Sequence, residues 1–171
     1  MSHPDPARPA YPDPTYSGEG GELTARFRPA GTEADLRTPG GGAASYLATG
    51  ATTDGRFGLY RWDMGPGPGG AQPHFHRTMS ESFFVLDGTV SIFDGRSWAD
   101  ARPGDFAHVP DGGVHGFRNE SGAPASMLIL FAPGAPREKY FIELAEIAES
   151  GRELTDEEWV ELWARHDQYP A

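Results

Sequence analysis

Asp-Gly pairs divide the middle of this chain and limit what it can fold into. Three of them lie in the stretches TDG at 53–55, LDG at 86–88 and FDG at 93–95. Asp-Gly tolerates the positive φ angles of tight hairpin turns. The apolar or alternating runs around these pairs have the length of strands and are too closely spaced for crossover helices. From Leu23 to about Phe131 the pattern therefore favours an antiparallel sandwich or barrel.

The two ends of the chain have different compositions. The first twenty residues contain five prolines and predict a loose or extended arm, either disordered or folded over a neighbouring subunit. After Pro136, REKYFIELAEIAES has apolar residues at helical spacing, and TDEE at 155–158 predicts a capping box that starts a second helix. We therefore expect an arm over 1–20, a barrel over 21–135 and a helical tail over 136–171 that packs on the barrel.

Composition excludes several classes of function. The chain has no cysteine, so any metal site must be built from His, Asp and Glu. A net charge of -11 argues against nucleic acid and anionic membranes as partners. The N-terminus lacks the apolar core of a secretory signal, and no apolar run approaches the ~20 residues that span a bilayer. A cytoplasmic protein is expected.

The stretch HFHRTMSE at 74–81 gathers candidate metal ligands. His74 and His76 lie on one face if the segment is extended, because alternate side chains of a strand point the same way. Glu81 begins a run in which Phe83 and Val85 share its face. Standing alone, two histidines at this spacing are a weak indication of a metal site.

A second stretch, GDFAHVPDGGVHGFRN at 104–119, makes the pattern specific. Together the two stretches resemble the two motifs of the cupin superfamily. The first motif, G-x5-H-x-H-x(3,4)-E-x6-G, is matched except that Pro68 takes the place of its leading glycine. The residues that match the two motifs are His74, His76, Glu81 and Gly88 in the first and Gly104, Pro110, Gly112, His115 and Asn119 in the second.

This resemblance implies a mainly β fold, the double-stranded β-helix or jelly-roll barrel, here with short C-terminal helices. It also implies that His74, His76, Glu81 and His115 converge inside the barrel on one divalent transition metal. Imidazole nitrogens and a carboxylate suit Fe, Mn, Ni, Co, Cu or Zn, and the sequence does not choose among them.

Alternation along the strands predicts the lining of a substrate pocket. It suits an aromatic or hydrophobic compound better than a sugar phosphate, because the nearest cations, Arg77 and Arg118, are expected to face outward. The same residues could instead simply fill the core. His108 either lines the cavity, with a role in proton relay, or lies outside it. The candidates are Tyr60, Trp62, Phe83, Val85, Phe106, His108, Phe117, Met127 and Ile129.

Beyond the motifs, the chain is similar to single-domain, quercetinase-like dioxygenases, which share the four ligands and a C-terminal aromatic helix. That similarity implies a dioxygenase that uses dioxygen on a small phenolic, flavonol-like substrate, with Glu81 as both ligand and catalytic base. Two alternatives stay open: a non-oxidative metal enzyme (isomerase, cyclase, lyase or hydrolase), and a module that binds or senses a small molecule. A homodimer is expected.

Overall fold

A computed structural model describes residues 11–171 of the chain. The chain divides into two units, residues 1–30 and residues 31–171. Of the predicted arm, residues 1–10 lie outside the described part, and residues 11–30 form no helix or strand. The first strand begins at Leu36, later than the predicted start of the barrel at residue 21.

The second unit consists of eleven strands, one 3-10 turn at Gly50–Thr52 and two helices. The helices are α1 (Arg137–Ser150) and α2 (Asp156–Arg165). Neither they nor any other helix within residues 11–171 is long and apolar enough to cross a membrane. The strands are β1 (Leu36–Thr38), β2 (Gly42–Ala48), β3 (Gly58–Met64), β4 (Gly69–Phe75), β5 (Ser80–Asp87), β6 (Val90–Phe93), β7 (Trp98–Ala101), β8 (Phe106–Val109), β9 (His115–Asn119), β10 (Ala125–Ala132) and β11 (Tyr169–Pro170).

The strands form two antiparallel sheets. One has six strands in the order β1-β2-β3-β10-β5-β8, and the other has five in the order β11-β4-β9-β6-β7. Strands that follow each other in the chain, such as β5 and β6, often belong to different sheets. This exchange between two antiparallel sheets is consistent with the predicted jelly roll, and the mainly β fold class is confirmed.

The inner faces of the two sheets share one hydrophobic core. Phe83 of β5 contacts Phe117 of β9 across the sheets, with 5.6 Å between ring centroids. Alternation places the core as predicted along β5, because Glu81, Phe83 and Val85 are buried whereas Phe84 is 40% exposed. An inward carboxylate in this row is costly unless it has partners, so its position already indicates a built polar site.

The Asp-Gly turns serve two purposes. The pairs at 54–55 and 94–95 lie in the connections of the paired strands β2–β3 and β6–β7, as expected of hairpins. The pair at 87–88 instead takes the chain from one sheet to the other, so the hairpin predicted there is wrong. Gly88 has φ +72°, and a Cβ there would lie 2.5 Å from the carbonyl oxygen of Pro124, so only glycine fits.

The C-terminal helices close over the barrel. Tyr140, Phe141 and Leu162 belong to the same buried cluster as the strands. At the start of α2, the side chain of Thr155 accepts the amide hydrogen of Glu158 and Glu158 returns a bond to Thr155, so the predicted capping box is confirmed. The chain does not end in a helix, however, because β11 returns to pair with β4 beside His74.

Candidate metal centre

Both sheets contribute to a cluster of four side chains. His74 lies in β4, His76 directly follows it, and His115 begins β9 in the same sheet. Glu81 extends toward them from β5 in the opposite sheet. All four residues are at most 4% exposed. Their four nearest ligand atoms lie within 4.8 Å of one another, so the structure brings together the residues that the two motifs single out.

The backbone orients all three imidazoles in the same way. Each Nδ1 lies within hydrogen-bond distance of a carbonyl oxygen, and a carbonyl can only accept, so Nδ1 carries the hydrogen. Each Nε2 is thereby left as the atom available to a ligand. The acceptors are the carbonyls of Gln72 for His74 (2.7 Å), of Asp167 for His76 (2.5 Å) and of Gly113 for His115 (2.9 Å).

Glu81 lies at the centre of the cluster. Its Oε2 is 3.0 Å from Nε2 of His76 and 2.7 Å from Nε2 of His115. Burial alone would favour the neutral acid, but the two histidine contacts outweigh it and lower the pKa of Glu81. Conversely, burial opposes protonation of His115, yet the contact with Glu81 raises its pKa above the ordinary value. The ion pair is therefore the stable state of these groups without a metal.

His74 differs from its two neighbours. Burial, with a further contribution from the charge of His115, lowers the pKa of His74 to about 4. It is therefore neutral at pH 7 and offers a free lone pair on its nitrogen. Three imidazoles and one ionised carboxylate with converging donor atoms form a set that could hold a divalent transition metal ion.

The C-terminal segment holds residues 76–78, here called the ligand loop, in place through hydrogen bonds. The backbone carbonyl of Asp167, a residue at φ 52°, accepts the Nδ1 hydrogen of His76. Its carboxylate accepts the amide hydrogens of Arg77 and Thr78 and the hydroxyl hydrogen of Thr78 (2.7 Å). One residue far along the chain thus fixes both a candidate ligand and the turn that follows it, a role that no local pattern in the sequence predicts.

A cavity of about 350 Å³ opens next to the cluster, and His74 and Glu81 form part of its wall. That volume lies at the low end of the range usual for small-molecule sites. The wall is mainly aromatic and comes from the strands and from both helices. Its aromatic members are Trp62, Phe117, Phe131, Tyr140, Phe141, Trp159 and Trp163.

The pocket residues predicted from alternation fall into three groups. Trp62, Phe117 and Ile129 line the cavity. The next four do not line it and belong to the core: Tyr60, Phe83, Val85 and Met127. The prediction for Phe106 is wrong, since Phe106 is 65% exposed. Of the two positions left open for His108, the structure has the one outside the cavity, because His108 is exposed with its Nδ1 2.9 Å from the hydroxyl of Ser82.

The reason for the error lies in β8, an edge strand of the six-stranded sheet. Both faces of β8 carry apolar residues. The alternation therefore assigns each residue to one of two faces but does not predict which face packs against the core. Ala107 and Val109 pack against the core, and the larger residues on either side of Ala107 face outward.

Three polar residues of the cavity wall, Gln72, Arg137 and Gln168, were not predicted from the sequence. Arg137 is 4% exposed and donates to the carbonyl of His166 (2.6 Å) and to Oε1 of Gln168 (3.1 Å). A signal for it existed: Arg137, Tyr140, Phe141 and Leu144 follow i, i+3, i+4 and i+7 spacing and share the buried face of α1. No comparable signal marks Gln168.

Comparison with known proteins agrees with this geometry. The family model described as "Cupin domain" matches residues 60–131, a range that contains all four clustered side chains. Over 75 residues the chain is 32% identical to quercetin 2,3-dioxygenase of Bacillus subtilis (strain 168), which covers 44% of this chain and 22% of that relative. The match therefore spans well under half of the curated relative's length.

Solved structures extend the likeness to the fold. The protein TT1209 from Thermus thermophilus is 28% identical with a TM-score of 0.50, over 57% of this chain and 89% of that chain. The polyketide cyclase RemF from Streptomyces resistomycificus is 25% identical with a TM-score of 0.51, over 63% and 78%. Residues 60–131 of the chain thus match the cupin domain, and the two-sheet fold, the two motifs and these solved structures agree with that match.

Proposed function

We propose that this chain is a metal-dependent dioxygenase that acts on a small aromatic or phenolic compound. The observation that carries the proposal is a buried cluster of three histidines and one glutamate that opens into a cavity with an aromatic wall. The similarity to quercetin 2,3-dioxygenase supports it, although that relative is a longer protein and its activity belongs to the whole of it.

The metal would be held by His74, His76, Glu81 and His115. When bound, a divalent transition metal would supply a Lewis acid and, if it is redox-active, a path for electrons from the substrate to dioxygen. The histidines' own contribution is orientation, because their Nδ1 bonds to the backbone keep each Nε2 directed at one point.

Glu81 has the position and the charge of a base. It lies in the cavity wall, and its lowered pKa keeps it ionised at neutral pH. An ionised carboxylate beside the cavity can accept the hydroxyl proton of a phenolic substrate, which makes the aromatic ring richer in electrons. The two helices cover the cavity and limit the access of water to the reacting groups.

The aromatic wall would orient a flat substrate. Trp62 lies against Phe141 with 5.0 Å between ring centroids, and Trp159 stacks on Trp163 at 5.4 Å. Aromatic pairs prefer such offset or tilted arrangements, and a planar ligand extends the same pattern. The wall therefore favours aromatic ligands over compact polar ones.

The test measures metal content and oxygen consumption together. We expect purified protein loaded with a redox-active metal to consume oxygen with a flavonol or a catechol. Glu81→Gln should keep most of the metal yet lose turnover by a factor of about 100 or more, because it removes the base. Equal turnover by wild type and Glu81→Gln would contradict the role of Glu81.

His108→Ala is the matched control, since it removes a histidine that lies outside the cavity. It should retain both metal and turnover, whereas His115→Ala should lose both. If no redox-active metal supports oxygen consumption with any phenolic substrate, the proposed oxygenase activity fails.

One observation favours a second candidate, a non-oxidative reaction at the same centre. The similarity to the polyketide cyclase RemF is at 25% identity over 63% of this chain. A Lewis acid beside Glu81 would serve ring closure without dioxygen. Zinc separates the two candidates, because zinc-loaded protein should be inactive as an oxygenase and active as a cyclase.

A further inference from the structure

One buried cation lies in the cavity wall. Arg137, the first residue of α1, is 4% exposed and is the only Lys or Arg among the described residues that line this cavity. The sequence predicts a pocket without an inward cation, because Arg77 and Arg118 are expected to face outward. The helical tail thus brings to the cavity a charge that the barrel itself does not provide.

The guanidinium has fewer partners than its burial demands. Its two hydrogen bonds go to neutral acceptors, a carbonyl of His166 and the amide of Gln168. Its Nε has no hydrogen-bond partner, and within residues 11–171 it forms no ion pair with a carboxylate. A buried charge without an anion is costly.

Aromatic rings offset only part of this cost. The guanidinium carbon lies 4.5 Å from the ring centroid of Tyr140 and 5.1 Å from that of Phe131. Such contacts stabilise a cation but do not satisfy a free N–H. A planar guanidinium matches the two oxygens of a carboxylate better than any other common group.

The charges around the whole cavity also favour an anionic ligand. Glu81 is the only carboxylate among the described residues that line it. A bound divalent metal together with Arg137 would therefore outweigh that single negative charge, and the cavity would favour an anionic ligand.

We propose that Arg137 binds a carboxylate carried by the aromatic substrate, so that the ligand class of this cavity is the hydroxyaromatic acids. The ring lies between the aromatic walls, the carboxylate meets the guanidinium of Arg137, and the hydroxyl is directed toward Glu81. This inference deepens the proposed function and rests on it for the identification of the cavity as the substrate site.

The test compares two ligands that differ only in charge. 3-Hydroxy-2-naphthoate and 3-hydroxy-2-naphthamide are titrated by calorimetry into zinc-loaded and metal-free protein; zinc supports no oxidation, so the ligand is not consumed. We expect wild type to bind the acid at least about tenfold more tightly than the amide in both states, as charged hydrogen bonds allow. Arg137→Met should bring the ratio close to one in metal-free protein, and Arg137→Lys should keep part of the preference.

The metal-free arm separates Arg137 from the metal, which could itself attract a carboxylate. The proposal is overturned if Arg137→Met keeps the wild-type ratio of acid to amide affinity. It is also overturned if the preference exists only with zinc and does not depend on residue 137. A purely structural role for Arg137 would weaken both ligands equally.

Arg137 also ties α1 to the C-terminal segment, so Arg137→Met could fail to fold. A measurement on wild type covers that case. The Nε–H proton resonance of Arg137, assigned by its loss in Arg137→Lys, should shift when the acid is added and stay in place with the amide. No shift with the acid overturns the proposal. These binding measurements do not depend on oxygen consumption. If the protein prefers the acid over the amide but consumes no oxygen with phenolic substrates, that result contradicts the proposed oxygenase activity and leaves the role of Arg137 intact.

Discussion

A hydrogen bond to a backbone carbonyl decides which nitrogen each clustered histidine offers. Because a carbonyl accepts only, the bonds of His74, His76 and His115 leave no choice of tautomer in the neutral ring. His115 meets Glu81 through its other nitrogen and therefore carries two hydrogens in the metal-free protein. At the scale of single residues, the cluster is a set of candidate metal ligands in which at least His115 must lose a proton when a metal binds.

This protonation predicts how the stability of the metal-free protein depends on pH. Between pH 4 and 6.5 the unfolded chain protonates His74 and the folded protein does not, so stability rises with pH. Above 6.5 folded His115 keeps a proton that the unfolded chain has lost, so stability falls as pH rises through its raised pKa. Below the ordinary pKa of Glu81, protons bound by the unfolded chain lower stability further. Urea denaturation from about pH 4 to pH 9 should therefore show a maximum near pH 6.5.

The control for this profile is His115→Gln, which keeps a polar side chain but cannot take up the proton. The free energy of unfolding of this variant should not fall above pH 6.5, because the variant has no proton on residue 115 to lose. A wild-type curve that continues to rise up to pH 9 would show that His115 and Glu81 are not paired in the metal-free protein.

Short elements at the C-terminus do more than cover the barrel. The turn after α2 places Asp167 against the ligand loop, and β11 pairs with β4 at His74. At the scale of elements, the tail therefore belongs to the candidate metal centre rather than to a separate domain. Phe75 stacks on Tyr169 in the same contact, with 5.4 Å between ring centroids.

We expect Asp167→Ala to weaken metal binding by about tenfold. Groups that orient a ligand from behind are commonly worth about 10- to 100-fold in affinity, and the carbonyl of residue 167 survives the change. The variant loses the carboxylate that holds Arg77 and Thr78. Zinc affinity measured by competition with a chromophoric chelator gives the result.

Asp156→Ala is the matched control, because Asp156 is an exposed acid in the first turn of α2. It should bind zinc like wild type. If Asp167→Ala also binds zinc like wild type, the tail does not support the ligand loop.

At the scale of the whole molecule, the metal should link the two sheets. Its candidate ligands lie in β4 and just after it, in β9 and in β5, so binding would join opposite walls of the barrel. A ligand that binds only the folded state stabilises it by about 2.7 kcal/mol at 100 times its Kd. We expect zinc to raise the Tm by several degrees and a chelator to reverse the change.

The rise in Tm caused by zinc should become larger as pH rises from about 6 to about 8, because zinc must displace the proton of His115 to bind. Differential scanning calorimetry with and without zinc measures it. His115→Gln supplies the control and should show little change in Tm with zinc at any pH. A zinc effect that shrinks with rising pH would contradict the assignment of His115 as a ligand.

The homodimer stays a prediction at this scale. The outer face of the six-stranded sheet exposes Phe84 and Phe106, which are directly opposite each other on β5 and β8. Exposed aromatic residues on a sheet face are a common site of association.

The turn and strand pattern predicted an antiparallel β fold, and the resemblance to the two cupin motifs predicted which four residues cluster. Within β5, a period of two sets the face of each side chain, so Glu81 shares the inner face with Phe83 and Val85. The Asp-Gly pairs marked three chain reversals, although the one at 87–88 changes sheets. The helix spacing and the capping box of the tail were also local, and both are present in the structure.

Tertiary structure decided what covers each face. The two faces of β8 are both partly apolar, and only its position at a sheet edge turns Phe106 and His108 outward. Arg137 enters the cavity because α1 packs over the barrel mouth, and Asp167 reaches His76 because the chain returns after α2. Burial and hydrogen bonding depend on neighbours that are distant in the chain. The two motifs in the sequence therefore singled out the four residues of the candidate metal centre, whereas the charge of the cavity and the helices that cover it depended on the fold.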